Sequence, residues 1–317
     1  MSYTVYADVR KLTHEQWLEN RKTGIGGSDA GAILGMSPYK GAYSVWADKM
    51  GKLPLVEDNE ALRQGRDFED YVARRFAEAT GKRIRHEYGM LRNDQRPWMV
   101  ANIDRRIVGE NAGLECKTSR DIHMRRYRNG DFPDEYYCQC LHYMAVTGWD
   151  RWYLAVLVYG TELLTFEIKR EDVEDDLAAL IEAEDAFWHN YVVTGIQPTP
   201  DGLETTTRAL NAVWGESDSE KIVDASDEAE ALMSRLKDLR RERKALDSQI
   251  TKTENEIKAQ MQDAEMMRGT GAVATWRGMD VKRLSERKIR ELLPNIDIET
   301  LKETTHQRRF ALKSEED

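Results

Sequence analysis

No run of about 18 apolar residues, the length a membrane span needs, occurs anywhere in the 317 residues. The opening stretch Met1-Ser2-Tyr3-Thr4-Val5-Tyr6-Ala7-Asp8 lacks the charged and apolar regions of a signal peptide. Cysteine is scarce. Cys116, Cys138 and Cys140 are an odd number without metal-ligand spacing, which points to a reducing cytoplasm. Net positive charge is also missing, the formal total being −10. That excludes a protein coated in phosphate-binding surface. Nucleic acid would need positive charge gathered in a groove or channel, with the acidic excess elsewhere. What is present, 40% apolar residues with 8 Trp and 13 Tyr, suffices for a sizeable core in one large domain or two smaller ones.

The chain is organised around Gly113-Leu114-Glu115-Cys116-Lys117-Thr118 and Asp104 upstream of it. Residues 102–108 alternate apolar and polar as a short strand does. Gly109 to Gly113 is turn chemistry, and Leu114 to Thr118 reads as the returning strand. Side chains alternate faces along a strand, so Glu115 and Lys117 project together while Cys116 points away. Asp104 on the neighbouring strand then aims at Glu115. Two carboxylates beside one ammonium suit a Mg²⁺-bound, water-activating centre; an exposed hairpin edge with a surface ion pair is the plainer alternative.

Residues 13–23 read as a helix capped by Thr13, with Trp17 and Leu18 on its apolar face. Glycines 24, 26 and 27 then turn sharply into a helix through Leu34, capped by Ser28 or Asp29. Such a helix entry exposes amide groups that suit a phosphate, with Arg21 and Ser28 adding a guanidinium fork and a hydroxyl. Another short helix spans 43–50. A long one runs from Asn59 to Gly81, with Leu62, Val72 and Phe76 on its buried side and Gly65 for close approach. Glu69 falls on that inward stripe, so it needs either a metal or a partner such as Arg66 or Arg74. Residues 82–90 and 97–108 alternate as strands. Lys117, Arg120, Arg125, Arg126 and Arg128 around Tyr127 form a local basic patch that a phosphate backbone could follow.

Pro133 opens a helix to about Thr147, stopped by Gly148, on which Gln139 and Tyr143 share a face. Strands Trp152–Val158 and Thr161–Ile168 flank a Tyr159-Gly160 turn, and an amphipathic helix covers 170–194. The pattern predicts an α/β domain over 1–196, with a mixed sheet between helices. Gln197-Pro198-Thr199-Pro200-Asp201-Gly202 reads as a linker. Beyond it, over 197–317, Leu232, Leu236, Leu239, Leu246, Ile250 and Ile257 recur at 3–4 spacing, as in a long helix or coiled coil. A small hairpin is expected from Val273–Trp276 and Met279–Val281 around Arg277-Gly278, then a helical segment from Ser285 to Leu293.

With Glu69, Asp104, Glu115, Lys117, Gln139 and Tyr143 in order, the chain resembles the YqaJ-type phage recombination exonucleases. These are similar to lambda exonuclease, within the PD-(D/E)XK (restriction-endonuclease-like) nuclease superfamily. The matching stretches run from Gly24 to Tyr39, Gly65 to Glu69, Asp104 with Glu115-Cys116-Lys117, and Gln139 to Tyr143. Ile103 stands where the superfamily's name has proline, a position without chemistry. The resemblance implies metal ligation by Glu69, Asp104, Glu115 and the Cys116 backbone carbonyl. It assigns Lys117 to the attacking water and the phosphate charge, Gln139 to orienting water or strand, and Tyr143 to its support. Arg21 and Ser28 match the family's pocket for a 5′-terminal phosphate. It further implies Mg²⁺, with Mn²⁺ as a substitute and no iron–sulfur cluster. The expected activity is 5′→3′ digestion of linear double-stranded DNA to 3′ overhangs by a ring-shaped homotrimer with a single-strand annealing partner. The setting is the bacterial host cytoplasm, from a phage or prophage. A RecB-like endonuclease or single-strand nuclease on the same centre, or a non-catalytic DNA-binding scaffold, are the rival readings.

Overall fold

The structure is a computed structural model and describes residues 3–54, 60–120, 124–281 and 285–292. In chain order the elements begin with β1 (Tyr3–Asp8), α1 (His14–Lys22), α2 (Gly27–Ile33), α3 (Ala42–Lys49) and α4 (Glu60–Thr80). Strands β2 (Ile84–His86), β3 (Gly89–Asn93), β4 (Val100–Ala101), β5 (Arg105–Ile107) and β6 (Ala112–Ser119) follow. Then come α5 (Met124–Arg128), α6 (Asp134–Thr147), β7 (Arg151–Val158), β8 (Leu163–Lys169), α7 (Glu174–Phe187) and α8 (Glu204–Val213). The last are α9 (Asp227–Met261), β9 (Met266–Gly269), β10 (Ala272–Thr275) and α10 (Glu286–Leu292).

The central sheet has the order β2-β5-β6-β7-β8. Only β6 and β7 run parallel, from Ala112↔Arg151 to Ser119↔Val158; the other neighbours are antiparallel. This is the mixed sheet between helices that the sequence predicts, and α6 is the crossover that a parallel pair requires. A second sheet, β1-β3-β4, lies beside it. The strand expected over 97–108 is broken into β4 and β5, with Asp104 in the bend between them. The reason is local: Asp104 Oδ2 accepts the Cys116 N–H at 2.8 Å, so its side chain takes a hydrogen bond that a strand would supply.

Thr13 caps α1 through a reciprocal pair with Gln16: the Gln16 N–H donates to Thr13 Oγ1 at 3.2 Å, and the Thr13 N–H to Gln16 Oε1 at 2.9 Å. Helix α4 buries Val72, Ala73 and Phe76 against Ile107, Leu114 and Tyr153, each large side chain stabilising by about 1.5–3 kcal/mol. Its first half does not follow the predicted stripe. Leu62 is 46% exposed, and a Cβ added at Gly65 would meet nothing within 4 Å, so neither a buried leucine nor a close approach occurs there. Helix α6 ends where Gly148 adopts φ +71°, the left-handed conformation that glycine takes without a Cβ clash. The helix expected over 170–194 is divided into a 3₁₀ turn at Arg170–Asp172, α7, and a π-helical turn at Trp188–Val192.

The chain forms two compact units, Met1–Gly215 and Glu216–Asp317. The expected boundary after 196 is therefore displaced, because α8 packs on α3 and the 197–202 stretch is held by the first unit. Tyr43 OH donates to Gln197 Oε1 at 2.9 Å. In the second unit, α9 is a 35-residue helix capped by Ser226, whose hydroxyl accepts the Ala229 N–H at 3.3 Å. Val273–Trp276 does enter a hairpin as β10, apart from Trp276, but its partner is the preceding β9 and not Met279–Val281. Gly271, at φ +82°, makes the turn on the upstream side. Arg125 of the expected basic patch and the segment beyond Leu292 lie outside the side chains or residues described.

Candidate active site

Strand β6 carries Glu115 and Lys117 on one face, and α6 lays Gln139 and Tyr143 over them. Lys117 Nζ sits 2.6 Å from Glu115 Oε1 and donates to Gln139 Oε1 at 2.9 Å. Gln139 Nε2 donates to Glu115 Oε1 at 2.8 Å and to Tyr143 OH at 2.9 Å. On the other side β5 pairs with β6 only at Gly113 and Leu114, and Asp104, one residue before Arg105, comes opposite Glu115. The predicted Asp104, Glu115, Lys117, Gln139 and Tyr143 are thus brought together. Tyr136, which the sequence did not single out, joins them: its ring centre is 5.2 Å from Lys117 Nζ.

Charge at this point is unbalanced. Burial pushes the Asp104 carboxyl well above the usual carboxylate range, and the charges of Glu115 and Glu69 push it further. Burial also raises Glu115, against the pull of Lys117. Desolvation opposes the Lys117 ammonium, but Glu115 and Asp104 outweigh it and hold the proton more tightly than in water. Glu115 Oε2 is buried and accepts no hydrogen bond. An unpaired carboxylate oxygen beside a second crowded carboxylate fits a hard divalent cation, whose oxygen ligands would be these atoms.

The third predicted ligand is not with them. Glu69 Oε1 is taken by Arg105 Nη1 at 2.5 Å, and Arg105 also bonds Asp70 and the Asp104 carbonyl. Among the described residues no three carboxylate, imidazole or thiol side chains are set to hold one ion. The partner of Glu69 is neither Arg66 nor Arg74 but Arg105, which β5 points at α4 from beneath. Sequence reading passed over Arg105 because it adjoins the more conspicuous Asp104. The basic patch is mostly spoken for within the fold. Arg126 pairs with Asp131 at 2.8 Å and Arg128 with Glu162 at 3.0 Å, and Tyr127 is buried. Arg120 and Arg126 line a cavity of about 700 Å³ with Tyr39, Tyr136 and Tyr159.

The glycine turn before α2 is pinned to the strand that leads to Asp104. Ile25 N–H donates to Trp98 O at 2.7 Å, and Val100 N–H to Ile25 O at 2.9 Å. Gly27 packs so closely on α6 that a Cβ there would fall 2.7 Å from the Tyr143 ring. Arg21 Nη2 donates to Ser28 Oγ at 2.8 Å, so the two residues predicted to bind phosphate meet. Both line a cavity of about 200 Å³ shared with Trp17, Asp104, Gln139 and Tyr143. Of the two capping candidates it is Asp29 that accepts a helix-entry amide, Gly26 N–H at 3.1 Å. Behind this entry Asp29 is buried between Lys49, 2.7 Å away, and Lys40, 2.9 Å away. Burial alone would raise its carboxyl, but the two ammonium groups hold it well below the usual range. Lys40 and Lys49 carried no motif and were missed.

An acid ahead of a short strand, E-x-K on the next, a crossover helix carrying Q-x-x-x-Y, and a mixed sheet beneath are the arrangement that the sequence resemblance leads one to expect. Residues 16–150 match the YqaJ-like viral recombinase domain. The uncharacterized protein YqaJ of Bacillus subtilis (strain 168) is 33% identical over 312 residues, 98% of this chain and 97% of its own length. The chain belongs to the YqaJ-like viral recombinase family. Among solved structures it is similar to LHK-Exo, an alkaline exonuclease from Laribacter hongkongensis crystallised with dAMP, at 17% identity and a TM-score of 0.44; the match covers 57% of this chain and 98% of that one. A phage related exonuclease from Haemophilus somnus 129PT is 12% identical over 54% of this chain and 96% of its own, with a TM-score of 0.41.

Proposed function

We propose that this chain is a Mg²⁺-dependent 5′→3′ exonuclease that trims one strand of linear double-stranded DNA to leave a 3′ single-stranded overhang. The observation that carries the reading is the shared cavity. The Arg21–Ser28 pair and the Asp104–Gln139–Tyr143 side chains open onto one space, with Glu115 and Lys117 directly behind Gln139. An anchor for a terminal phosphate and a centre for phosphodiester hydrolysis are what an end-trimming nuclease needs side by side.

Asp104, Glu115 and the Cys116 carbonyl are the proposed ligands of Mg²⁺, for which Mn²⁺ would substitute. Glu69 is the third carboxylate, on condition that its oxygen exchanges Arg105 for the ion. The ion would supply charge neutralisation at the phosphate and lower the pKa of its water. Lys117 stays an ammonium beside Glu115, so its part is to stabilise phosphoryl charge and to orient water, not to take a proton. Gln139 offers Lys117 its carbonyl and Glu115 its amide, which fixes both groups without a charge of its own. Tyr143 OH, accepting from Gln139, fixes that amide in turn. Arg21 and Ser28 would hold a terminal 5′ phosphate through a charged fork and a hydroxyl at the α2 entry.

Phage-type recombination by strand annealing, with a ring-shaped homotrimer and a single-strand annealing partner, is part of the same proposal, and the match to a viral recombinase domain supports it. No described helix is long and apolar enough to cross a membrane. Digestion of a linear duplex labelled at either end, with and without a 5′ phosphate, tests the reading. Loss from the 5′-phosphorylated strand is expected, with the preference for that phosphate abolished by Arg21→Ala. Cleavage of a closed circle would favour the RecB-like endonuclease instead. Undiminished DNA binding with no Mg²⁺-dependent hydrolysis would favour a scaffold.

A further inference from the structure

Helix α9 carries an apolar seam that nothing described covers. Leu232, Leu239, Leu246, Ile250 and Ile257 are each between 38% and 61% exposed, and among the described residues no helix or strand packs along the helix. With Leu236 they are spaced by four, three, seven, four and seven residues. That places Leu236, Arg243, Ile250 and Ile257 at the a positions and Leu232, Leu239, Leu246 and Thr253 at the d positions of a heptad pattern.

We propose that α9 pairs with α9 of a second copy of this chain as an antiparallel two-stranded coiled coil, centred between Lys244 and Ala245. Flanking charge decides both partner and direction. In a parallel self-pair each g residue faces the e residue of the next heptad on the partner helix. Arg235 would then meet a second arginine, Arg240, and Glu242 would meet Asp247. Both contacts are like-charged, and both occur twice by symmetry. In the antiparallel pair e faces e and g faces g. Centred as stated, Arg235 faces Glu256, Arg240 faces Asp247, and Glu242 faces the neutral Gln249. Every charged contact is attractive and none is repelled.

The apolar layers agree with that centre. Ile257 meets Leu232, Ile250 meets Leu239, Leu236 packs on the Thr253 methyl, and Arg243 lies beside Leu246. Sliding one helix by a heptad would place Asp247 on Asp247 and Glu242 on Glu256, so register is set as well as direction. Arg243, alone among the a positions in carrying charge, sits in the two middle layers. There its aliphatic stem can lie on Leu246 while the guanidinium reaches water. The helix of 35 residues is about 50 Å long, ample for a stable seam. Such a pair is two-fold symmetric. It cannot be the contact that closes a three-membered ring, so it would join one assembly to another.

Sedimentation equilibrium of the full-length chain over a range of concentrations, with far-UV circular dichroism as a check that α9 stays helical, tests this. The wild-type chain should gain mass with concentration in a step that Leu239→Ser combined with Leu246→Ser removes. Arg235→Glu should weaken that step by about tenfold, since two attractive contacts become repulsive. Adding Glu256→Arg to it should restore the wild-type value. A parallel pair predicts the opposite sign, because Arg235→Glu would then face Arg240; strengthening overturns the proposal. An unchanged mass in the double serine variant overturns it too, as does association only with a different protein. None of these residues belongs to the nuclease centre, so digestion measured alongside reports separately on that reading.

Discussion

Two carboxylate–lysine clusters adjoin the Arg21–Tyr143 cavity, one through Asp104 in its lining and one through Asp29, which accepts the Gly26 amide there, and they are balanced in opposite senses. At Asp29 two ammonium groups surround one acid, and the acid is held ionised far below its usual range. At Asp104 and Glu115 two acids, with Glu69 near, share one ammonium, and both carboxyls are pushed up. Burial is common to both; the count of opposite charges decides the sign. A finished cluster holds the backbone of a helix entry in place. The unfinished one is where the proposed function seats a further cation.

The sharpest way to break this contrast is at Lys117. Lys117→Ala should reduce hydrolysis of a 5′-phosphorylated linear duplex by about 10²–10³-fold, read from the release of labelled nucleotide, with the folded content unchanged by circular dichroism. Next in size is Asp29→Asn, which strands the buried Lys49 ammonium and should cost about 3–5 kcal/mol in urea unfolding. Burial already lowers the Lys49 pKa, and losing Asp29 would lower it more. The unfolded state then binds the extra proton between the folded value and the ordinary lysine value of about 10.4, so stability rises with pH there. The deficit against wild type should therefore shrink as the solution is made alkaline.

Asp104→Asn should act in the reverse sense. A carboxyl raised above its unfolded value contributes stability below that unfolded value and loses it as pH rises through the folded one. Without divalent metal, the asparagine variant should match or exceed wild type by about 1 kcal/mol near neutral pH, while retaining an acceptor for the Cys116 N–H. On the proposed function, Mg²⁺ should raise the melting point of wild type and leave that of the variant unchanged. A loss of stability as large as that of Asp29→Asn would collapse the contrast. The smallest effect belongs to Ser28→Ala. Removing one hydroxyl from the Arg21 pair should reduce preference for a 5′-phosphorylated over an unphosphorylated end by about five- to tenfold, measured as the ratio of the two digestion rates.

The elements of the first unit were legible wherever period and punctuation agreed, as for α6 between Pro133 and Gly148 or β7 and β8 around Gly160. The shared faces of Glu115 with Lys117 and of Gln139 with Tyr143 were legible too, because strand alternation and four-residue helical spacing fix which side chains project together. Where the reading failed, long-range contacts had the decision. Asp104 left the strand to accept an amide twelve residues on. Glu69 found its arginine on β5 instead of on its own helix. Lys49 is buried only because α3 packs behind α2, which no local pattern announces. The boundary after 196 looked convincing from proline and glycine alone, yet α8 had an apolar face to cover and stayed with the first unit.

Gly27 has no side chain, and for that reason the Arg21–Ser28 pair and the Gln139–Tyr143 pair are held as one body. The backbone of α2 rests against the Tyr143 ring and the Gln139 stem with no adjustable atoms between them. The span from Ser28 to Gln139 thus behaves as a ruler fixed by main-chain contact. On the proposed function, a strand seated by its end is measured against that ruler before any bond is broken.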